Sequence, residues 1–111
     1  MTLDALTKIV VKFRDERGWK AYHSPKSLAI SLMLESAEVL DHFKWKTDDE
    51  MVKYLKSKKG EEVAEELADV LHNVLLMAHE FDIDLEKVFA LKMKKNSRKY
   101  PIKRRLLMLN R

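Results

Sequence analysis

Apolar positions recur at helical spacing along most of the chain, and residues 31–43, SLMLESAEVLDHF, invert the usual arrangement. At about 100° per residue, Ser31, Glu35, Glu38 and His42 share one arc of about 60° on a helix. Leu28, Leu32, Val39 and Phe43 border that arc on one side, and Ile30, Leu34 and Ala37 on the other. A surface helix normally carries an apolar stripe on a polar cylinder; this one carries a polar stripe on an apolar cylinder. Its two carboxylates are therefore expected inside a packed interior, where an unpaired charge costs several kcal/mol. Something must neutralise them.

The remaining pattern predicts four more helices. Thr2 caps a first helix running to Gly18, a suitable C′ residue. Residues 19–23 read as a short loop. Ser24 as N-cap and Pro25 at N1 open the inverted helix, which is expected to end near Lys44 to Lys46. TDDE at 47–50 is a capping box opening a short third helix, 48 to about 56. SKKG at 57–60 breaks the pattern, and a long helix follows from 61 to about 80 with acids in its first turn. Asp84 caps a last helix reaching about 98, and Pro101 stops it. Strand-like alternation and internal repeats are absent. The expected fold is all-α: a compact bundle of four main helices and one short helix, with a domain over 1–101 and a basic tail over 102–111. The second helix is apolar over nearly its whole circumference and must be covered on all sides, so the bundle is expected to assemble as a homodimer or a dimer of dimers.

Composition narrows the chemistry. With 46% hydrophobic and 36% charged residues the chain folds under a highly charged surface. Cysteine is absent, which excludes disulfides, thiolate metal sites and cysteine nucleophiles. No apolar run approaches the roughly 20 residues of a membrane span, and the N-terminus carries no signal-peptide pattern. The expected location is the cytoplasm. The net charge of +4 is unevenly placed: residues 92–111 hold nine Lys or Arg and no acid. Such a segment is either a solvated helix end or an anion site for nucleic acid, nucleotide phosphate or an acidic partner.

The 61–80 helix answers the inverted one. Val63, Leu67, Val70, Leu71, Val74, Met77 and Ala78 make its apolar face, and Glu61, Glu65, His72 and His79 are expected on the solvated arc. Glu62, Glu66, Asp69 and Asn73 run between the two. Thus E-x-x-E (Glu35, Glu38) faces E-x-x-D (Glu66, Asp69), each pair on one helical face. Four converging carboxylates raise one another's pKa, and a divalent cation removes the conflict. An all-oxygen ligand set suits magnesium or manganese. The alternative is an interior salt-bridge network with Lys or Arg partners. A di-iron bundle needs Glu-x-x-His on two helices, which this chain lacks.

In the last helix, Leu85, Val88 and Phe89 form a stripe that continues through Lys92 and Asn96. If that stripe stays inward, the two supply a point charge and an amide donor for phosphate; if the helix has left the core by then, both are solvated. Trp19 and His23, ahead of the second helix, offer a flat face and a polar handle for a base, or else a cap on the core.

Together these words resemble a known family. ESAE (Glu35, Glu38) and EELAD (Glu66, Asp69), with 27 residues between Glu38 and Glu66, resemble the E-x-x-E…E-x-x-D signature of MazG-like nucleotide pyrophosphohydrolases. KMKKNSRKYP (92–101) is similar to the K-M-x-x-N-x-x-[RK]-Y-P ending of the dCTP pyrophosphatase-like branch, and FRDERGW, YHSPKSL and FKW sit where that branch carries similar words. The resemblance implies an all-α oligomer that uses magnesium, with manganese able to substitute, to hydrolyse a (deoxy)nucleoside triphosphate between its α and β phosphates, releasing monophosphate and pyrophosphate. It implies metal ligation by Glu35, Glu38, Glu66 and Asp69, with Glu38 or Glu35 orienting the attacking water. It further implies phosphate contacts from Lys92, Asn96, Lys99 and Tyr100, and a nucleotide pocket shaped by Trp19, His23 and Trp45. The branch's aromatic residue one turn after the E-x-x-D aspartate is Asn73 here, so stacking at that point of the pocket does not carry over, nor does a preference for cytosine. A pyrimidine deoxynucleotide house-cleaning role is the family-level expectation. The rival from another class is a non-catalytic helical module that binds nucleic acid through the basic C-terminal segment; it has no use for a buried acid stripe.

Overall fold

The computed structural model describes residues 1–102 and is all-helical, without strands among those residues. Residues 103–111, nearly all of the basic tail, lie outside the described residues. Helix α1 (Leu3–Glu16) starts at Thr2, whose hydroxyl accepts from Ala5 N at 3.0 Å. It ends at Glu16, and Gly18 just beyond the Arg17 cap takes the left-handed conformation (φ +65°) that a residue with a Cβ adopts reluctantly. The expected loop at 19–23 is instead one 3₁₀ turn, Trp19–Tyr22, that folds back on α1. Helix α2 (Pro25–Asp41) begins at the Ser24 cap with proline at N1, as the sequence predicts.

Two helix ends differ from expectation. α2 stops at Asp41 rather than near Lys44 to Lys46: His42 N bonds to Val39 O, three residues back, the chain goes on in turns, and His42 Nδ1 meets Tyr54 Oη at 2.6 Å. That bond ties the end of α2 to α3 (Asp48–Lys56), which the Thr47–Glu50 capping box opens. His42 thus bonds to Tyr54 and is not part of the converging acid group. α4 (Lys58–Glu80) starts three residues before the expected Glu61. Ser57 serves both helices: its hydroxyl donates to Tyr54 O at 2.6 Å and accepts from Lys59 N at 3.1 Å. Gly60 then sits inside the first turn of α4, where a Cβ would run into the Leu55 carbonyl. Glycine allows the two helices to follow one another without a loop.

α4 is the axis of the molecule. α2 packs along it most extensively, and α1 and α3 pack on it less. Val10, Leu28, Leu75 and Leu76 form the core, joined by Leu3, Leu6, Met77 and Leu85. Met51 and Val63 bury a smaller seam between α3 and α4. α5 (Leu85–Lys99) touches the core through Leu85 in its first turn and then leaves it; none of its residues is buried. The resulting shape is long, 61 × 36 × 27 Å, with a radius of gyration of 18.6 Å, where a compact chain of this length would have about 13 Å. The expected compact bundle is therefore not formed by one chain. Ile30, Met33, Leu34 and Leu40 of α2, Leu67 and Leu71 of α4, and Val88, Phe89 and Leu91 of α5 are all at least 40% exposed.

Candidate metal and nucleotide site

The α2–α4 contact brings the two acid pairs together. Glu35, Glu38 and Glu66 each place a carboxylate oxygen within 4.8 Å of the others. Asp69 stands outside this trio but close enough for its charge to act on both Glu35 and Glu66. Like charges so near one another cannot all ionise freely. Burial, followed by the facing Glu38, pushes the Glu35 carboxyl above its ordinary value. Hydrogen bonding with Glu38, followed by burial, pushes Glu66 up to about 7.

The interior salt-bridge alternative is not what the chain builds. Among the described residues no Lys or Arg forms an ion pair with Glu35, Glu38, Glu66 or Asp69. Glu35 Oε2 and Glu66 Oε2 are enclosed without a hydrogen-bond partner among the described residues. Buried carboxylate oxygens left in that state are costly unless a cation completes them. The residues present fit a hard divalent cation: oxygen ligands only, converging, with no competing donor.

A cavity of 210 Å³ opens beside the carboxylates, sharing Glu35 and Asp69 with them. Trp19, His23, Ser31, His72 and Asn73 line it over a floor of Leu28 and Leu76. Trp19 is held there by the 3₁₀ turn and packs edge-on against Phe13, centroids 5.6 Å apart. Asn73 donates its amide to Asp69 O at 3.0 Å, which leaves its side-chain oxygen for the cavity. His72, expected on the solvated arc, lines this cavity instead and meets the Phe13 ring edge-on at 6.0 Å. The signal was available, since His72 lies one turn before the buried Leu76.

Four expected site residues and Trp45 lie elsewhere. Trp45 is 84% exposed, with Lys44 over its ring, and does not line the cavity. Lys92, Asn96, Lys99 and Tyr100 sit on the departing part of α5 and its end, and none lines the cavity. The stripe meant to carry Lys92 and Asn96 inward is bare in a single chain, with Phe89 64% exposed. Lys92 instead lines an open groove on α5 with Lys94, Lys95 and Arg98.

Arg14 was missed altogether. It is 1% exposed, with Nη1 3.0 Å from Glu80 Oε2 and Nε 3.0 Å from Asp15 Oδ1. Helical spacing from Leu6 and Val10 leads to position 14, so the apolar stripe of α1 pointed to it.

The model of the MazG-like family matches residues 30–106, which include both acid pairs and α5. The chain belongs to the MazG-like family. It is 31% identical to dCTP pyrophosphatase 1 of Bos taurus over 102 residues, 91% of this chain and 60% of that protein. It is 33% identical to dCTP pyrophosphatase 1 of Homo sapiens over 101 residues, 90% of this chain and 59% of that one. The chain thus spans about 60% of the length of these curated relatives. Among solved structures, a pyrophosphatase from Archaeoglobus fulgidus shares 42% of its sequence with a TM-score of 0.82, covering 89% of this chain and 92% of that one. Both acid pairs lie at the α2–α4 contact, the most extensive between helices of this chain.

Proposed function

We propose that this chain is a magnesium-dependent nucleoside triphosphate pyrophosphohydrolase, cleaving between the α and β phosphates to release a monophosphate and pyrophosphate. The observation that carries the reading is the trio Glu35, Glu38 and Glu66, converging and without a basic partner among the described residues, beside a cavity lined by Trp19 and two histidines. Membership of the MazG-like family and the pyrophosphatase names of its relatives support it. No helix among the described residues is long and apolar enough to cross a membrane, which agrees with a cytoplasmic enzyme.

Glu35, Glu38, Glu66 and Asp69 hold the cation, with manganese able to replace magnesium. When bound, the ion neutralises charge on the phosphate oxygens and acidifies a water. Glu38, central in the trio and facing both Glu35 and Glu66, orients that water for in-line attack on the α phosphorus or takes its proton. Trp19 and His23 hold the base, with Asn73 near it. Lys92, Asn96, Lys99 and Tyr100 contact the phosphates from α5 of another copy of the chain, because α5 departs from its own core. That copy also covers the bare faces of α2 and α4, so the enzyme is a homodimer at least. A folded, active monomer at low micromolar concentration in light scattering would refute the assembly.

The deciding experiment is a panel of nucleoside and deoxynucleoside triphosphates with magnesium, scored for pyrophosphate. Pyrophosphate and monophosphate are expected; orthophosphate as first product overturns the α–β cleavage.

A further inference from the structure

The facing sides of α2 and α4 are matched rung by rung. Glu38 meets Glu66 at one end of their contact, and Leu28 and Leu76 join the same core at the other. Between those ends α2 steps back through Glu35 and Ser31 while α4 steps forward through Asp69 and Asn73. Both helices take these steps three, four and three residues at a time. Each step is close to one turn, so the four rungs lie on one face of each helix. The last three rungs line the cavity beside the carboxylates. Their chemistry changes in order, from two acids to a hydroxyl and an amide, and then to two leucines. A nucleotide changes in the same order, from phosphate through sugar to base.

The middle rung carries two unused hydrogen-bonding groups. Thr7 and Ser36, hydroxyl residues inside α1 and α2, each donate to the carbonyl four residues back, at 2.7 and 2.8 Å. That is a common arrangement for a hydroxyl within a helix. Ser31 also lies inside α2, yet its hydroxyl forms no hydrogen bond among the described residues. Asn73 donates from Nδ2 to Asp69 O at 3.0 Å. A carbonyl only accepts, so the amide nitrogen is the end that faces it, and Oδ1 stays available. The rung therefore offers one hydroxyl, one further acceptor and no charge.

We propose that Ser31 and Asn73 bind the 3′-hydroxyl of the nucleotide sugar, Ser31 Oγ donating to it and Asn73 Oδ1 accepting from it. The inference rests on the reading of this cavity as the nucleotide pocket. The rung lies four residues from Glu35 and from Asp69, about 6 Å along each helix. The 3′-hydroxyl is the sugar hydroxyl nearest the α phosphorus, reached along the path O5′–C5′–C4′–C3′. A hydroxyl both donates and accepts, so this one satisfies the two groups at once. A sugar with only hydrogen at C3′ leaves both without a partner, and a site built to hold a hydroxyl rejects the analogue that lacks it. The next rung, Leu28 and Leu76, then lies under the base.

The test is calorimetric binding to the full chain with magnesium. The probes are α,β-methylene analogues of the four deoxynucleoside triphosphates, which resist cleavage at that bond, and their 2′,3′-dideoxy counterparts. For the base that binds best, the wild type should hold the form with the 3′-hydroxyl about tenfold more tightly, the worth of two modest hydrogen bonds. Ser31→Ala and Asn73→Ala should each lower that ratio to about threefold, and the double variant to about one. Each should do so by weakening the hydroxyl form while dideoxy binding stays as in the wild type. The rise in melting temperature with magnesium alone should be the same in all four proteins. Equal wild-type affinity with and without the 3′-hydroxyl overturns the inference and leaves the proposed function standing. So does a variant that weakens both forms alike, or one that loses the magnesium effect, because the rung would then serve the cation. A wild type that binds none of these nucleotides refutes the proposed function, and the inference falls with it.

Discussion

Helix α4 gathers charge at two points, and it resolves them in opposite ways. At Glu66 three carboxylates meet without a Lys or Arg partner among the described residues. Fourteen residues later, about 21 Å along the axis at 1.5 Å per residue, Glu80 meets Arg14 at 3.0 Å. The second cluster pairs opposite charges within the chain and joins α1 to α4, although Arg14 Nη1 is enclosed there without a hydrogen bond of good geometry. The first is complete only with something added, and the fold carries a standing electrostatic cost for it. Paired opposite charges make structure, and gathered like charges make a site that waits for a ligand.

The largest effect should come from breaking the gathered cluster. Glu38→Gln removes the carboxylate that both Glu35 and Glu66 face, and should lower turnover about a thousandfold or more, about 4 kcal/mol of barrier. The metal-free variant should melt no lower than the wild type, because one like charge has gone. A Glu38→Gln protein that keeps most of its pyrophosphate release would show that the trio is not the reaction centre.

At the paired cluster the balance reverses. Glu80→Gln leaves the Arg14 guanidinium buried with Asp15 alone, and should cost about 3 kcal/mol of stability by urea unfolding, with kcat changed far less than by Glu38→Gln. A Glu80→Gln chain as stable as the wild type would remove the structural half of the contrast.

A smaller effect follows from protons. The Glu66 carboxyl is raised to about 7 from an ordinary 4.5. Between those values the folded chain keeps a proton that the unfolded chain has released, so this contribution is complete below about 4.5 and is lost as pH rises through 7. His23, lowered from its ordinary value, works in the opposite sense: its unfolded form takes up a proton first, so stability from this source falls as pH drops through about 6.5. The quantity to read is therefore the difference in melting temperature between wild type and Glu66→Gln without divalent cation. The wild type should lose ground to the variant from pH 5 to pH 8, and millimolar magnesium should reverse the trend by binding only the folded state. A difference that is flat with pH would mean that Glu66 titrates normally.

Much of this contrast was legible in the sequence, and the part that was not has physical reasons. The five α-helices, the Thr2, Ser24, Thr47 and Asp84 caps, and the facing of E-x-x-E on E-x-x-D follow from local rules of capping and period, which act within one turn of chain. Gly60 read as a breaker because glycine usually is one; only the approach of the Leu55 carbonyl turns it into a requirement inside a helix. His72 reads as solvated because polarity usually means solvent, and nothing in the pattern singles out Arg14, although both continue buried stripes. The direction of α5 was not legible at all. Its stripe of Leu85, Val88 and Phe89 correctly announces a face that wants cover, but periodicity cannot say whether the cover comes from the same chain. Lys92 and Asn96 inherit that ambiguity.

The smallest expected effect is the control that gives the others meaning. Glu65 is adjacent to Glu66 in sequence, yet at 100° per residue it turns away from α2, and it is exposed. It belongs neither to the converging trio nor to the cavity lining. A charge there is screened by water, so Glu65→Gln should change stability by less than about 0.5 kcal/mol and leave pyrophosphate release as in the wild type. Its net-charge change equals that of Glu38→Gln and Glu66→Gln, so any general effect of removing one acid from the chain would appear in all three. If Glu65→Gln loses activity comparably to Glu38→Gln, then position around the helix is not what matters, and the contrast between gathered and solvated acids on α4 fails.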